Sequence, residues 1–135
     1  MKKILVDSNI LLDILTNDPD WSEWSTIQLK TLTEHHILAI NPIIYGEISI
    51  GFSHIEDLES CIRGAKLARL PLSWEAAFLA GKAFMQYKKN GGQRQTCLPD
   101  FFIGAHALVE NMLLLTRDVS RYRTYFSKLE LIYPT

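Results

Sequence analysis

Cysteine is scarce in this chain: Cys61 and Cys97 are the only two, 36 positions apart and in no CxxC pattern. A disulfide framework and a four-thiolate zinc site are therefore excluded. Long apolar runs are missing too. The longest near-apolar stretch, Ile37 to Ile44, is broken by Asn41 and Pro42 and falls far short of the ~18 residues that cross a bilayer. Neither sign of charge predominates, with 14 Lys+Arg against 15 Asp+Glu and a formal net charge of −1. Taken over the whole chain, that balance argues against a nucleic-acid partner. Neither GxGxxG nor a Walker-type GxxxxGK followed by Ser or Thr occurs, so no phosphate-cradling loop is visible. Gly51-Phe52-Ser53-His54-Ile55 approximates a GxSxG elbow, but it lacks the final glycine and the strand before it, which sets serine hydrolysis aside.

What is present is a chain of 135 residues, 47% hydrophobic and 21% charged. Such a composition excludes intrinsic disorder and fits one domain, expected to span residues 1–135. Met1-Lys2-Lys3-Ile4-Leu5-Val6-Asp7 is basic and then apolar, yet the apolar part stops at an aspartate after three residues. No signal peptide and a cytoplasmic, membrane-free protein are the expectation.

Short apolar runs alternate with longer helical patterns, which predicts an α/β fold with a small central parallel sheet surrounded by helices. Strands are expected at Ile4–Val6, Ile37–Ile40, Met112–Leu115 and Leu129–Tyr133, with a short extended piece at Leu70–Leu72. Helices are expected over Ile10–Leu15, Ser22–His35, Ile43–Phe52, Ile55–Ala68, Ser73–Lys89 and Pro99–Glu110, with a short one opened by Asp118. Asn41-Pro42 has the pattern of an N-cap followed by proline at the first helical position.

Four carboxylates stand out by context: Asp7, Glu47, Asp100 and Asp118, each just after a predicted strand or near a helix start. In an open α/β sheet such positions converge outside the carboxyl ends of the strands. Singly, Asp7, Asp100 and Asp118 would serve as helix-capping acids, an effect of roughly 0.3–2 kcal/mol. Glu47 resists that explanation because it falls among Ile43, Ile44, Ile48 and Ile50 on the apolar arc of its own helix. A buried carboxylate needs a partner, so a Lys, an Arg or a metal should face it. Gly104, one turn beyond Asp100, is expected to leave room at the site. Four acids crowded together repel by on the order of 4 kcal/mol per close pair at an effective dielectric of about 20. A divalent cation would resolve this, and oxygen-only ligation suits Mg²⁺ or Mn²⁺ and metal-assisted phosphodiester hydrolysis.

Leu5-Val6-Asp7-Ser8-Asn9-Ile10-Leu11-Leu12-Asp13, a helical Glu47, Leu98-Pro99-Asp100-Phe101-Phe102-Ile103-Gly104-Ala105-His106-Ala107 and Leu114-Leu115-Thr116-Arg117-Asp118 together resemble the PIN domain, and within it the VapC-like ribonuclease toxins of toxin–antitoxin pairs. The resemblance spans nearly the whole chain. It implies a PIN-like α/β/α sandwich, a Mg²⁺- or Mn²⁺-dependent single-strand endoribonuclease, homodimerisation, and neutralisation by a cognate antitoxin. Position by position, it implies Asp7 and Asp100 as principal metal ligands, Glu47 and Asp118 as the other catalytic acids, and Asn9 and Thr116 as polar groups that orient them. One departure is visible. Where many members carry a further acid or histidine after the Thr-Arg-Asp segment, Val119-Ser120-Arg121-Tyr122-Arg123 supplies arginine.

Read by position, the balanced charge is a cancellation. Residues 1–60 hold 3 Lys+Arg and 10 Asp+Glu, whereas residues 61–135 hold 11 and 5. Lys88, Lys89 and Arg94, with Arg117, Arg121 and Arg123, form basic clusters that could track an RNA backbone, Tyr122 and Tyr125 stacking on its bases. The competing readings are a non-catalytic PIN-like binding module and a small-molecule phosphohydrolase. A receiver-like phosphoacceptor would need a late-strand lysine that is lacking. Trp21 and Trp24 are expected to anchor their helix half-buried, and the four histidines to be ordinary core or surface residues.

Overall fold

The fold was obtained as a computed structural model, which describes residues 2–92 and 98–135. Arg94 and Cys97 lie outside the described residues. The apolar runs become the strands β1 (Ile4–Val6), β2 (Leu38–Ile40), β3 (Ala68–Arg69), β4 (Leu113–Leu115) and β5 (Leu131–Ile132). They form one parallel sheet in the order β3-β2-β1-β4-β5. Successive side chains of β1 and β2 point to opposite faces, yet all of them are buried, so helices cover both faces. Among the described residues the helices are α1 (Ser8–Leu15), α2 (Ser22–Leu32), α3 (Pro42–Ser49), α4 (Ile55–Gly64), α5 (Trp74–Lys89), α6 (Leu98–Val109) and α7 (Val119–Tyr125).

Local chemistry explains most of the boundaries. Asn41 caps α3 by accepting the Ile44 N–H at 2.9 Å, and Pro42 occupies the first helical position, where its missing N–H costs nothing. Ser73 caps α5 in the same way through the Ala76 N–H at 3.1 Å. The third strand comes just before the extended piece expected at Leu70–Leu72. It lies at Ala68–Arg69 rather than 70–72, because Pro71 has no N–H to offer a neighbouring strand, and pairing ends where Leu70 N donates to Ile40 O at 2.9 Å.

From β1 the chain crosses to β2 and β3 on one side, then returns through α5 and α6 to place β4 on the other side of β1. The sheet thus reverses its winding between β1 and β4, and a crevice opens there at the carboxyl ends of the strands. Asp7 N donates to Leu115 O at 2.9 Å, tying the two strand ends together. Beside the crevice, Phe84, Tyr87, Phe101, Tyr125 and Phe126 pack ring against ring at centroid separations of 5.4 to 6.1 Å, binding α5, α6 and α7 into one wall. Among the described residues, no helix is long and apolar enough to cross a membrane.

Candidate functional site

The crevice is a cavity of about 490 Å³ lined by Asp7, Ser8, Asn9, Glu47, Asp100, Arg117, Asp118 and Arg121. All four acids singled out in the sequence reach it, from four separate segments: the end of β1, the middle of α3, the first turn of α6, and the residue preceding α7.

Asp7 is the most enclosed of them, with 2% of its surface exposed. Its Oδ1 accepts the Ser8 N–H at 2.8 Å; its Oδ2 accepts the Thr116 hydroxyl at 2.8 Å and the Tyr122 hydroxyl at 3.0 Å. Burial, together with the charges of Asp100 and Glu47, outweighs these donors and raises its pKa to about 6. Thr116 is itself held in place, its oxygen receiving Asn9 Nδ2 at 3.4 Å and the Asp118 N–H at 3.0 Å. Asn9 Oδ1 in turn accepts the Arg117 N–H at 3.4 Å. Asn9 and Thr116 therefore join the end of β1 to the turn after β4.

Glu47 is half-buried. It accepts the Ser8 hydroxyl at 2.8 Å, and the charge of Arg121, a cation of the kind expected to face it, also acts on it. Burial and the charge of Asp100 nonetheless hold its pKa above the ordinary value. Asp100 is likewise shifted upward, burial prevailing over the attraction of Arg121. The Arg121 guanidinium donates through one terminal nitrogen to Asp100 Oδ2, and its Nε lies 3.6 Å from Asp118 Oδ2. Asp118 stands at the N-cap of α7 but makes no capping hydrogen bond through its side chain.

Other residues take places the sequence did not disclose. Tyr122, expected to stack on bases, is 1% exposed and turns its hydroxyl onto Asp7, while Tyr125 packs edge-on to Tyr87 and Phe101. The space expected beside Gly104 is filled: a Cβ there would meet Phe126 at 2.8 Å and Tyr122 at 3.0 Å. The only hint of Tyr122's role was its position four residues after Asp118, which a helix turns back toward the same end of the sheet.

Arg117 shares the cavity, but its guanidinium is held by Asp13 in a two-pronged pair, Nε to Oδ2 at 2.7 Å and a terminal nitrogen to Oδ1 at 2.8 Å. It also lies over the Trp21 ring, which with Trp24 forms a half-buried edge-to-face pair. Arg123 is exposed and bonded to the Tyr133 hydroxyl. Lys88 and Lys89 are exposed at the end of α5, next to Tyr87, whose ring touches that of Phe101, the residue after Asp100. His106 is a core histidine, its Nδ1 2.9 Å from Asn41 Nδ2.

A set of carboxylate oxygen donors suits Mg²⁺ or Mn²⁺ in kind. Their spacing is another matter: among the described residues, no three His, Cys, Asp or Glu side chains stand close enough to hold an ion as they sit. Ser8 keeps Glu47, and Arg121 keeps Asp100 and Asp118, in their present orientations.

A parallel sheet with acids gathered at its winding reversal is the architecture of a PIN domain. The sequence pattern of that family matches residues 4–127, and the chain belongs to the PIN domain family. Curated proteins contain no match. Several solved structures share the fold. One is VapBC2 from Rickettsia felis, bound to a DNA fragment from its promoter: 21% identity, TM-score 0.74, 98% of both chains covered. Another is DNA-bound VapBC from Salmonella typhimurium, at 17% identity, TM-score 0.73 and 98% of both chains. VapBC-1 from nontypeable Haemophilus influenzae superposes with 21% identity and a TM-score of 0.72 over 96% of both chains.

Proposed function

We propose that this PIN domain is a VapC-like toxin: an endoribonuclease that hydrolyses phosphodiester bonds of single-stranded RNA in the cytoplasm, using Mg²⁺ or Mn²⁺. The observation that carries this reading is the convergence of Asp7, Glu47, Asp100 and Asp118 from four segments on one polar cleft. Asp7 and Asp100 would hold the ion, with Glu47 and Asp118 completing the acidic site. When bound, the cation supplies positive charge beside the phosphoryl group and lowers the pKa of water. Thr116 and Tyr122 hold the Asp7 carboxylate in one orientation by donating to the same oxygen. Glu47 accepts the Ser8 hydroxyl on Oε1, and its raised pKa suits it to accept the proton that the attacking water loses. The bond between phosphorus and the leaving ribose oxygen then breaks, and that oxygen takes up a proton from solvent. Exposed Lys88 and Lys89 would steer the RNA backbone.

Protein partners enter through the same reading. One structure that shares this fold is a toxin–antitoxin complex from Klebsiella pneumoniae, which supports a cognate antitoxin for this chain. Apolar side chains left in water, Trp74 at 91%, Ile50 at 86% and Phe78 at 68% exposure, support an antitoxin contact and a homodimer.

The test is cleavage of single-stranded RNA in Mg²⁺ or Mn²⁺ by the wild type, Asp7→Asn and Asp100→Asn. Activity is expected in the wild type alone, and cleavage by both variants would refute the assignment. Sequencing the RNA ends left after brief expression would identify the target. The engagement of Asp100 by Arg121 favours a second reading, a non-catalytic PIN-like module that binds RNA or protein. A wild-type protein that neither binds Mn²⁺ nor cuts RNA would favour this module over the nuclease.

A further inference from the structure

Arg121 is held in a particular way. The next residue, Tyr122, is buried, packs where a Cβ on Gly104 would go, and bonds to Asp7, so the backbone of α7 is pinned at this point. The Arg121 side chain is 33% exposed, and its head reaches Asp100 and Asp118 from the solvent side of the cleft. Those two carboxylates come from different segments, and the guanidinium spans them. Its charge also acts on Glu47. Arg117, the other arginine of the cavity, is committed to Asp13 and Trp21. Arg121 engages Oδ2 of Asp100 and lies beside Oδ2 of Asp118, so a metal ion that takes these two oxygens must displace the guanidinium. A partly exposed ion pair on a long side chain is weak enough to yield.

We infer that Arg121 is the internal cation of this site, which a divalent metal must displace from Asp100 and Asp118 in order to bind. The inference rests on the site being a metal site, as proposed above. Arg121 then does two things. It neutralises the crowded acids of the metal-free protein, and it weakens metal binding, so that loading requires a higher cation concentration. The displaced guanidinium remains at the rim of the cleft, within reach of an RNA phosphate.

Calorimetric titration of Mn²⁺ into the metal-stripped full chain tests this. Arg121→Ala and Arg121→Gln should bind Mn²⁺ roughly tenfold more tightly or better than wild type, since a cation this close shifts carboxylate affinity for positive charge by that order. Arg123→Ala removes the same charge from the same helix without touching the acids, and should stay within about twofold. In the wild type, Mg²⁺ should move the Arg121 Nε–H resonance while that of Arg117 stays in place. This second readout needs no variant and stands even where a substitution disturbs folding. Unchanged or weaker Mn²⁺ binding in both Arg121 variants, or an Arg121 resonance indifferent to Mg²⁺, would overturn the inference. Competition without RNA cleavage would sustain it and refute the ribonuclease reading; cleavage without competition would do the reverse.

Discussion

The hydroxyl of Tyr122 donates to Oδ2 of Asp7 at 3.0 Å, deep in the fold, so the residue adjoining Arg121 touches the acid that ends the first strand. One short helix therefore presents a hydrogen-bond donor to one acid of the cleft and a cation to two others.

Tyr122→Phe keeps the ring against Gly104 and removes only the donor. A loss of about 1 kcal/mol in urea unfolding is expected, the usual net worth of one such bond. Because the hydroxyl lowers the Asp7 pKa, its removal should raise that pKa further and move the acid limb of the pH–activity profile to higher pH. A profile that stays in place would show that the bond does not tune Asp7.

Asp7 itself sets a pH dependence of stability. Its pKa is about 6 in the folded protein against 3.8 for an ordinary aspartate, so the fold favours the protonated form. The stabilisation is fully present below about pH 3.8 and is lost as pH rises through about 6. The difference corresponds to up to about 3 kcal/mol. In EDTA, Asp7→Asn should gain stability relative to wild type between those two pH values and stay level above them. Urea midpoints measured across this range would check it.

The pairing of Arg117 with Asp13 is predicted to be structural. Asp13 is 3% exposed, and among the described residues its further side-chain partner is Ser25 Oγ at 2.9 Å. Arg117→Ala would leave that carboxylate buried and poorly satisfied, at a cost of roughly 2 kcal/mol, below the value for a fully buried pair because Arg117 is partly in water. Arg117→Lys should recover little of this, lacking the fork. A double-mutant cycle with Asp13→Asn would measure the coupling.

Gly104→Ala is a steric probe. The added methyl would meet the ring of Phe126, which is 3% exposed and has nowhere to retreat. Overpacking of this kind costs about 1–3 kcal/mol and should push α7 outward. Thermal unfolding should fall by several degrees, on the order expected for that loss in a domain of this size. Mn²⁺ affinity should change with it, since Arg121 and Tyr122 ride on the same helix.

The contrast between Asn41 and Pro71 shows what local sequence could determine. Asn41-Pro42 announced the start of α3 because capping and a fixed proline φ are properties of adjacent residues. Pro71 sits in an extended stretch, yet the strand lies before it, because whether an N–H is needed depends on the neighbouring strand. The four acids were legible for a similar reason: strand ends and helix starts can be read along the chain, and in a parallel sheet they share one edge. Arg121, Tyr122 and Gly104 were read differently, as an RNA contact, a base-stacking ring and an open space. Apart from Asp118, three positions before Arg121, their partners lie 18 to 115 positions away, beyond the reach of periodicity.

The sequence by itself determined the α/β class, most element positions and the identity of the acids, all of which follow from hydrophobic period and local capping chemistry. Only the tertiary structure decided that β4 lies against β1, that Arg117 belongs to Asp13, and that Arg121 faces the acids. Those outcomes depend on which faces of α6 and α7 pack together over the winding reversal, a choice made by long-range burial.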